Sequence, residues 1–274
     1  MRIALIGTAF RRDNPTAIPP ELEAVLAGGT EIRIYPPRLS MFPNNPLDLA
    51  IQEMGYLDAG IAAAGDGCDA IIVNSVGDYG VAALKSATRK VVVGAGDAGM
   101  RISAAVGSPF AVVTIWPSST AFLYQKVLRE TGLAGHCSQV LHVGTENEQA
   151  QLGQEQDYIA RMQGGDSTLL GRIIGRCREA IDNGAAAILL GCTCMSPIAA
   201  KVQAALEVPV INPLTAAVKQ AEMLGALGLR QSSVNFAAGH PARRDVVSAM
   251  AAAGADLAGA ADCDYCVVAE EGAS

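Results

Sequence analysis

The sequence predicts an α/β protein made of two related halves, each holding a parallel sheet between helices, and three observations carry that expectation. Strand-like and helix-like segments alternate along most of the chain, and this βαβα rhythm implies parallel pairing. The strand segments are apolar throughout, as in Ile71-Ile72-Val73 and Ala187-Ile188-Leu189-Leu190, which suits strands covered by helices on both faces. The chain also repeats itself under one constant offset. Gly67 falls on Gly184, Ser75 on Cys192, Ala82-Ala83 on Ala199-Ala200, Val91-Val92-Val93 on Val208-Pro209-Val210, and Ala98–Ser103 on Thr215–Gln220, without a gap.

Arg2–Ile6 reads as the first strand, ending at Gly7-Thr8-Ala9. The stretch Arg11–Pro20 is too rich in proline and polar residues to be helical before Glu21. Lying at a strand's carboxyl end, it is a candidate substrate lip with Thr8 as its preferred contact, and equally an ordinary surface connection. Ile32–Tyr35 is a second strand, followed by a long loop from Pro36-Pro37 to Pro46 near the same edge. Leu47–Ala64 carries apolar residues at helical spacing. The strand Ala70–Val73, the helix Val81–Ala87 and the strand Val91–Val93 complete the first set.

Gly94–Gly99 has glycines spaced as in a phosphate loop but lacks the third glycine and the later acidic residue of a dinucleotide fingerprint. It is read as a tight strand-to-helix turn at a domain crossover. The second set comprises the strand Phe110–Ile115, the helix Ala121–Glu130, the strand Cys137–Val143, a polar loop from Glu146 regaining helical character by Gln163, the helix Leu169–Asn183 and the strand ending at Gly191. A helix Ile198–Leu206, a strand Val208–Ile211, a helix Leu214–Leu227 and a strand Ser233–Ala237 follow. Because Gly94–Gly99 and Ile211–Leu214 occupy equivalent crossovers, residues 1–97 with 217–274 are expected to form one domain and residues 98–216 the other. The tail, helix-like over Asp245–Ala253 and strand-like over Tyr265–Ala269, would add a further element to the first.

A net charge of −7, with no basic cluster beyond Arg11-Arg12 and Arg243-Arg244, argues against a nucleic-acid partner, which needs a basic footprint. No apolar run approaches the roughly 20 residues of a spanning helix. Met1–Ile6 does not fit a signal peptide, since Gly7-Thr8 breaks the run, so a cytoplasmic location is expected. Seven irregularly spaced cysteines then read as thiols rather than a disulfide framework.

The chemistry starts from those thiols. A strand end followed by a helix can lower a thiol's pKa from about 8.5 toward neutrality, giving a base whose conjugate acid returns the proton. Cys192 has that placement, whereas Cys68, Cys137 and Cys177 read as small buried apolar residues. Cys194, two residues on, has a supporting role. His136, His142 and His240 form no spaced set with cysteines or carboxylates, and Cys263-x-x-Cys266 stands without a second pair, so no metal site is expected.

Leu190-Gly191-Cys192-Thr193 with Pro197 and Val208–Ile211 resembles the second-cysteine motif of the aspartate/glutamate/hydantoin racemase superfamily. Asp69–Asp78 resembles its first-cysteine segment, and Gly94–Met100 and Val112-Val113-Thr114 resemble the hydantoin-racemase branch in place and spacing. The similarity runs over roughly residues 1–240. It implies two similar domains with parallel four-stranded sheets flanked by helices, related by a pseudo-twofold axis. It also implies a cofactor-independent enzyme, with no metal, in which two cysteines face opposite sides of a carbon next to a carboxylate or carbonyl. Thr8, Val76, Gly77, Thr114, Thr193 and Cys194 would then bind substrate and stabilise the enolate. The expected partners are a small carboxylate-containing substrate and further copies of the chain in a homo-oligomer, with neither nucleic acid nor membrane.

One position departs from the pattern, because the family's first cysteine is Ser75 here. A serine hydroxyl is a far weaker acid than a thiol, and only Asp78 lies close enough in sequence to activate it. The primary expectation is a racemase or epimerase of a small amino-acid-like or hydantoin-like substrate, with Cys192 and Ser75 as catalytic residues. The alternative is a one-thiol decarboxylase of a malonate-type acid, resembling arylmalonate decarboxylase, or a related lyase or isomerase. A third possibility is a catalytically silent protein that senses a carboxylate ligand in the cleft.

Overall fold

The computed structural model describes residues 1–7, 18–152 and 157–258. The first half runs β1 (Arg2–Ile6), α1 (Pro20–Glu23), β2 (Glu31–Tyr35), α2 (Pro46–Gly65), β3 (Ala70–Val73), α3 (Val81–Ala87), β4 (Val91–Gly94) and α4 (Ala95–Val106). The second runs β5 (Phe110–Thr114), α5 (Ala121–Thr131), β6 (Cys137–His142), α6 (Glu146–Gln149), α7 (Tyr158–Gln163), α8 (Ser167–Asp182), β7 (Ala187–Leu190), α9 (Ala199–Ala204), β8 (Val210–Ile211) and α10 (Pro213–Ala226). Helix α11 (Ala242–Ala258) ends the described chain.

Each half forms a four-stranded parallel sheet, ordered β2-β1-β3-β4 in the first and β6-β5-β7-β8 in the second. The two orders are the same under the sequence repeat, with β3 matching β7 and β4 matching β8. Strands β3, β5 and β7 are buried along their whole length, as their unbroken apolar sequences require.

The halves are fastened by exchanged helices. Helix α4 leaves β4 and lies against β7 and β8 of the other sheet, while α10 leaves β8 and lies against β3 and β4. The two helices also pack on each other. One continuous core results, in which Ile72 and Val93 of the first sheet and Val112 and Leu189 of the second share a cluster with Ala98 and Met100 of α4 and Leu214 and Val218 of α10. Gly99 allows close approach, since a β-carbon there would lie 2.7 Å from a Leu189 methyl.

Several local expectations change. Ser233–Ala237 is not a strand: the edge of β4 is met instead by the Gln231 side chain, which accepts from the Val92 amide at 3.3 Å and donates to the Val92 carbonyl at 3.1 Å. One side-chain amide thus supplies the hydrogen bonds a fifth strand would have offered. The polar stretch after Val143 is structured early, because Thr145 and Glu148 form a reciprocal capping box on α6 and Arg172 grips Glu148. The predicted strand Tyr265–Ala269 and the Cys263-x-x-Cys266 spacing lie outside the described residues. Helix α11 packs on α2, and Arg38, bound to Asp58 through two nitrogens at 2.9 Å, also reaches Ser248 of α11.

Leu189 is fully buried where α4 crosses onto the second sheet. Leu189→Ala is expected to lower the unfolding free energy by about 2–5 kcal/mol in urea denaturation; a loss below about 1 kcal/mol would mean that this crossing is loosely packed.

Candidate active site

Strands β3 and β7 run out into two short turns, Asn74–Gly80 and Gly191–Ile198, at equivalent positions of the repeat. In the first, the Ser75 hydroxyl accepts the Gly77 amide at 3.1 Å. In the second, the Cys192 sulfur accepts the Cys194 amide at 3.2 Å and so caps a 3₁₀ turn over Thr193–Ile198. The hydroxyl of one turn and the sulfur of the other are therefore held the same way, by the amide two residues on. The turns also touch, because the Thr193 hydroxyl donates to the Asn74 carbonyl at 3.4 Å.

A layer of buried polar groups supports both turns. Beneath the second, Tyr124 of α5 donates its hydroxyl to the Gly191 carbonyl at 2.8 Å and shares a short hydrogen bond with Thr114. Thr114 is fully buried, so its side chain braces the strand end instead of lining the cleft as expected. Beneath the first, Asp78 adopts a left-handed backbone with φ of 48°. Its carboxylate accepts the Gly96 amide at 2.8 Å and the Asp97 amide at 2.7 Å, which caps α4 from another part of the chain. Gly94 and Gly96 are required here, since a β-carbon on either would overlap Asp78 or the Val76 carbonyl. With both oxygens engaged, Asp78 is a clamp and not the base that its nearness to Ser75 in sequence suggested. Lys126 of α5, paired with Glu53 and Glu130 at 3.2 Å, lies 3.4 Å from the carbonyls of Gly77 and Asp78 and ties the second half to the first turn.

Val76, Gly77, Thr193 and Cys194 all lie in these two turns and are buried or nearly so, while Ser75 is half-buried. Thr8 and most of the Arg11–Pro20 loop lie outside the described residues. The loop after β2 reaches the second half: Phe42 packs on Trp116, beyond the end of β5, with ring centroids 4.4 Å apart, and Asn44 accepts from Gln149 of α6. Asn74, Tyr124 and Lys126 had no distinctive spacing in the sequence. The Asn74 side-chain oxygen is buried without a partner among the described residues, and the side chain packs against Gly7, whose lack of a β-carbon leaves it room.

The thiol expectation needs one correction. The sulfurs of Cys192 and Cys194 are joined in a disulfide, whereas Cys68, Cys137 and Cys177 are free. The pairing is local because residues two apart share a face of an extended strand with Cα atoms about 6.6 Å apart, and the turn at the strand end draws these two to 5.2 Å. Burial pushes the Cys137 thiol up to about 11 and the Cys177 thiol up to about 12, so neither serves as a base near neutral pH. Among the described residues, no three His, Cys, Asp or Glu side chains gather as metal ligands, and no helix is long and apolar enough to cross a membrane.

Burial pushes the Asp78 carboxyl up to about 7, against the pull of the Gly96 and Asp97 amides and of Lys126. The folded protein then binds this proton more tightly than the unfolded chain, where an aspartate titrates near 4, so the contribution of Asp78 to stability falls as pH rises from about 4 to about 7. Asp78→Asn leaves an amide donor facing the α4 amides and is expected to cost about 1–3 kcal/mol. In urea denaturation the stability advantage of the unaltered chain over Asp78→Asn is expected to shrink across that pH window; an advantage that grows with pH would show the carboxylate to be the favoured buried form.

Comparison with known proteins agrees with this geometry. A family profile described as Asp/Glu/Hydantoin racemase matches residues 21–221. The hydantoin racemase of Paenarthrobacter aurescens is 31% identical over 168 residues, covering 61% of this chain and 66%, just under two thirds, of that protein. The crystal structure of allantoin racemase from Pseudomonas fluorescens superposes with a TM-score of 0.75 at 25% identity, over 88% of this chain and 98% of that one. Arylmalonate decarboxylase shares the fold, with a TM-score of 0.56 at 16% identity over 86% of this chain and 99% of that one. The chain belongs to the Asp/Glu/hydantoin racemase family.

Proposed function

We propose that the protein is a cofactor-independent racemase that moves a proton at the carbon alpha to the carbonyl of a hydantoin-like or allantoin-like substrate, with Cys192 as acid–base thiol and Ser75 facing it. The observation that carries this reading is the matched pair of turns, each holding a hydroxyl or sulfur by the amide two residues on and joined through Thr193 and Asn74. The hydantoin racemase and allantoin racemase relatives support the substrate class.

In this mechanism reduced Cys192, as thiolate, removes the α-proton from one face. The electron pair moves into the adjacent carbonyl to give an enolate, and a proton returns to the opposite face from the Ser75 side. The amides of Gly77 and Cys194 are occupied by the reactive side chains. Those of Val76 and Thr193 meet no acceptor among the described residues, which supports assigning them to the developing oxyanion as the kind of preorganised donor that lowers such barriers most. Ser75 makes the site unequal, because its hydroxyl gives up a proton far less readily than a thiol does. Proton delivery on that side then runs through the hydroxyl with solvent behind it.

The same inequality favours a second reading. A single thiol suits protonation of one face after loss of carbon dioxide, as in decarboxylation of a disubstituted malonate. Incubation in D₂O separates the two: a racemase incorporates α-deuterium into a 5-substituted hydantoin or allantoin, whereas a decarboxylase releases carbon dioxide from the malonate.

For the reduced protein, Cys192→Ala is expected to cut α-deuterium incorporation by about 100-fold or more, the range general acid–base groups supply; full activity in that variant would overturn the assignment of Cys192. Ser75→Cys is expected to accelerate racemisation, followed by polarimetry, and a slower variant would show that the hydroxyl has its own function.

A further inference from the structure

We propose that Cys192 and Cys194 form a reversible oxidative modification site, in which a peroxide closes the disulfide and a small thiol reopens it, so that the thiol of the reaction is available only in the reduced chain. The activity half of this inference rests on the acid–base assignment of Cys192; the modification itself does not.

Four observations carry it. The two sulfurs are bonded within one turn. Their Cα atoms are 5.2 Å apart, a separation that a disulfide spans without backbone movement, so closure and opening need no rearrangement of the fold. Second, the repeat shows that the turn does not need the second thiol: the residue matching Cys194 is Gly77, whose amide makes the same hydrogen bond to Ser75 that Cys194 makes to Cys192. Third, the pair sits at the strand end where the halves meet, with Cys192 9% and Cys194 7% exposed, whereas Cys68 and Cys177 are fully buried. Fourth, burial holds the Cys137 and Cys177 thiols protonated, while the Cys192 sulfur is met by the Cys194 amide at 3.2 Å, and it is the thiolate form of a cysteine that reacts with oxidants.

The step balances with hydrogen peroxide as oxidant. The Cys192 thiolate attacks one peroxide oxygen, the O–O bond breaks, and hydroxide leaves as water after taking a proton, giving a sulfenic acid. The Cys194 thiolate then attacks that sulfur, the S–S bond forms, and hydroxide again leaves as water. Two thiols and one peroxide thus become one disulfide and two waters. Reduction reverses the change when two molecules of a small thiol are oxidised to their own disulfide.

Trypsin would release residues 179–201 as one peptide whose only cysteines are Cys192 and Cys194, so the test reads the pair directly. The full chain, reduced and then titrated with hydrogen peroxide, is quenched with iodoacetamide, digested and weighed, with α-deuterium exchange into a 5-substituted hydantoin measured on the same samples. The expected result is two labels on the reduced peptide and none after peroxide, with the unlabelled peptide two hydrogens lighter. Exchange is lost in proportion to the closed peptide, and both return with dithiothreitol. In Cys194→Ser, compared only with its own reduced state, peroxide should produce a loss that dithiothreitol fails to restore once Cys192 passes beyond sulfenic acid. A wild-type peptide that keeps both labels after peroxide, or gains oxygen in place of closing, overturns the proposal. If the peptide closes and reopens while exchange is unaffected, the modification site stands and the acid–base role of Cys192 falls. The peptide readout needs no variant, so it decides the matter even where Cys194→Ser does not fold.

Discussion

Two fully buried strands, β3 and β7, one from each sheet, run out into turns that touch each other, and the bond from Thr193 to the Asn74 carbonyl is where the turns meet. Strand ends of this kind leave backbone groups unpaired at the edge of a core, and each must find a partner or a ligand. The rest of the molecule answers that constraint. Ser75 and Cys192 take the amides two residues on, Tyr124 takes the Gly191 carbonyl, and Lys126 approaches those of Gly77 and Asp78.

Holding two sheets so that these ends meet requires more than a contact surface. The exchange of α4 and α10 gives each half a helix from the other and merges their cores, so the halves cannot drift apart without exposing Leu189 and Leu214. Asp78 fixes the other end of the same device. Buried and bonded to the first free amides of α4, it locks the turn carrying Ser75 to the helix that crosses to the second sheet. The carboxylate is costly to bury, and the cost is offset by two backbone donors that would otherwise be orphaned there.

Much of this is legible in the sequence because the chain repeats. Arg2–Ile6, Ala70–Val73 and Val81–Ala87 have the bounds in the structure that their apolar runs and turn residues predict, and the repeat alone picks out Ser75 and Cys192 as equivalent strand-end positions. What escapes is whatever depends on approach in space. Tyr124 looks like any helix residue facing a core, and only the fold brings its hydroxyl under Gly191. Asp78 is near Ser75 in sequence, yet a left-handed backbone turns its carboxylate toward α4. The Cys192–Cys194 bond escapes for a similar reason, since residues two apart on a strand share a face with Cα atoms about 6.6 Å apart, and only the turn draws these two to 5.2 Å. The Ser233–Ala237 strand fails because a β-like composition does not say whether the sheet edge is already met by Gln231.

In the proposed mechanism one thiol and one hydroxyl share the reaction unequally across this junction. The most direct test follows each pure enantiomer of a 5-substituted hydantoin in D₂O with the reduced protein, and compares α-deuterium incorporation with loss of optical activity. The enantiomer presenting its proton to Cys192 is expected to incorporate deuterium faster than it racemises, because the enolate is reprotonated from the thiol side before Ser75 can deliver. Equal rates of incorporation and racemisation for both enantiomers would contradict the unequal pair.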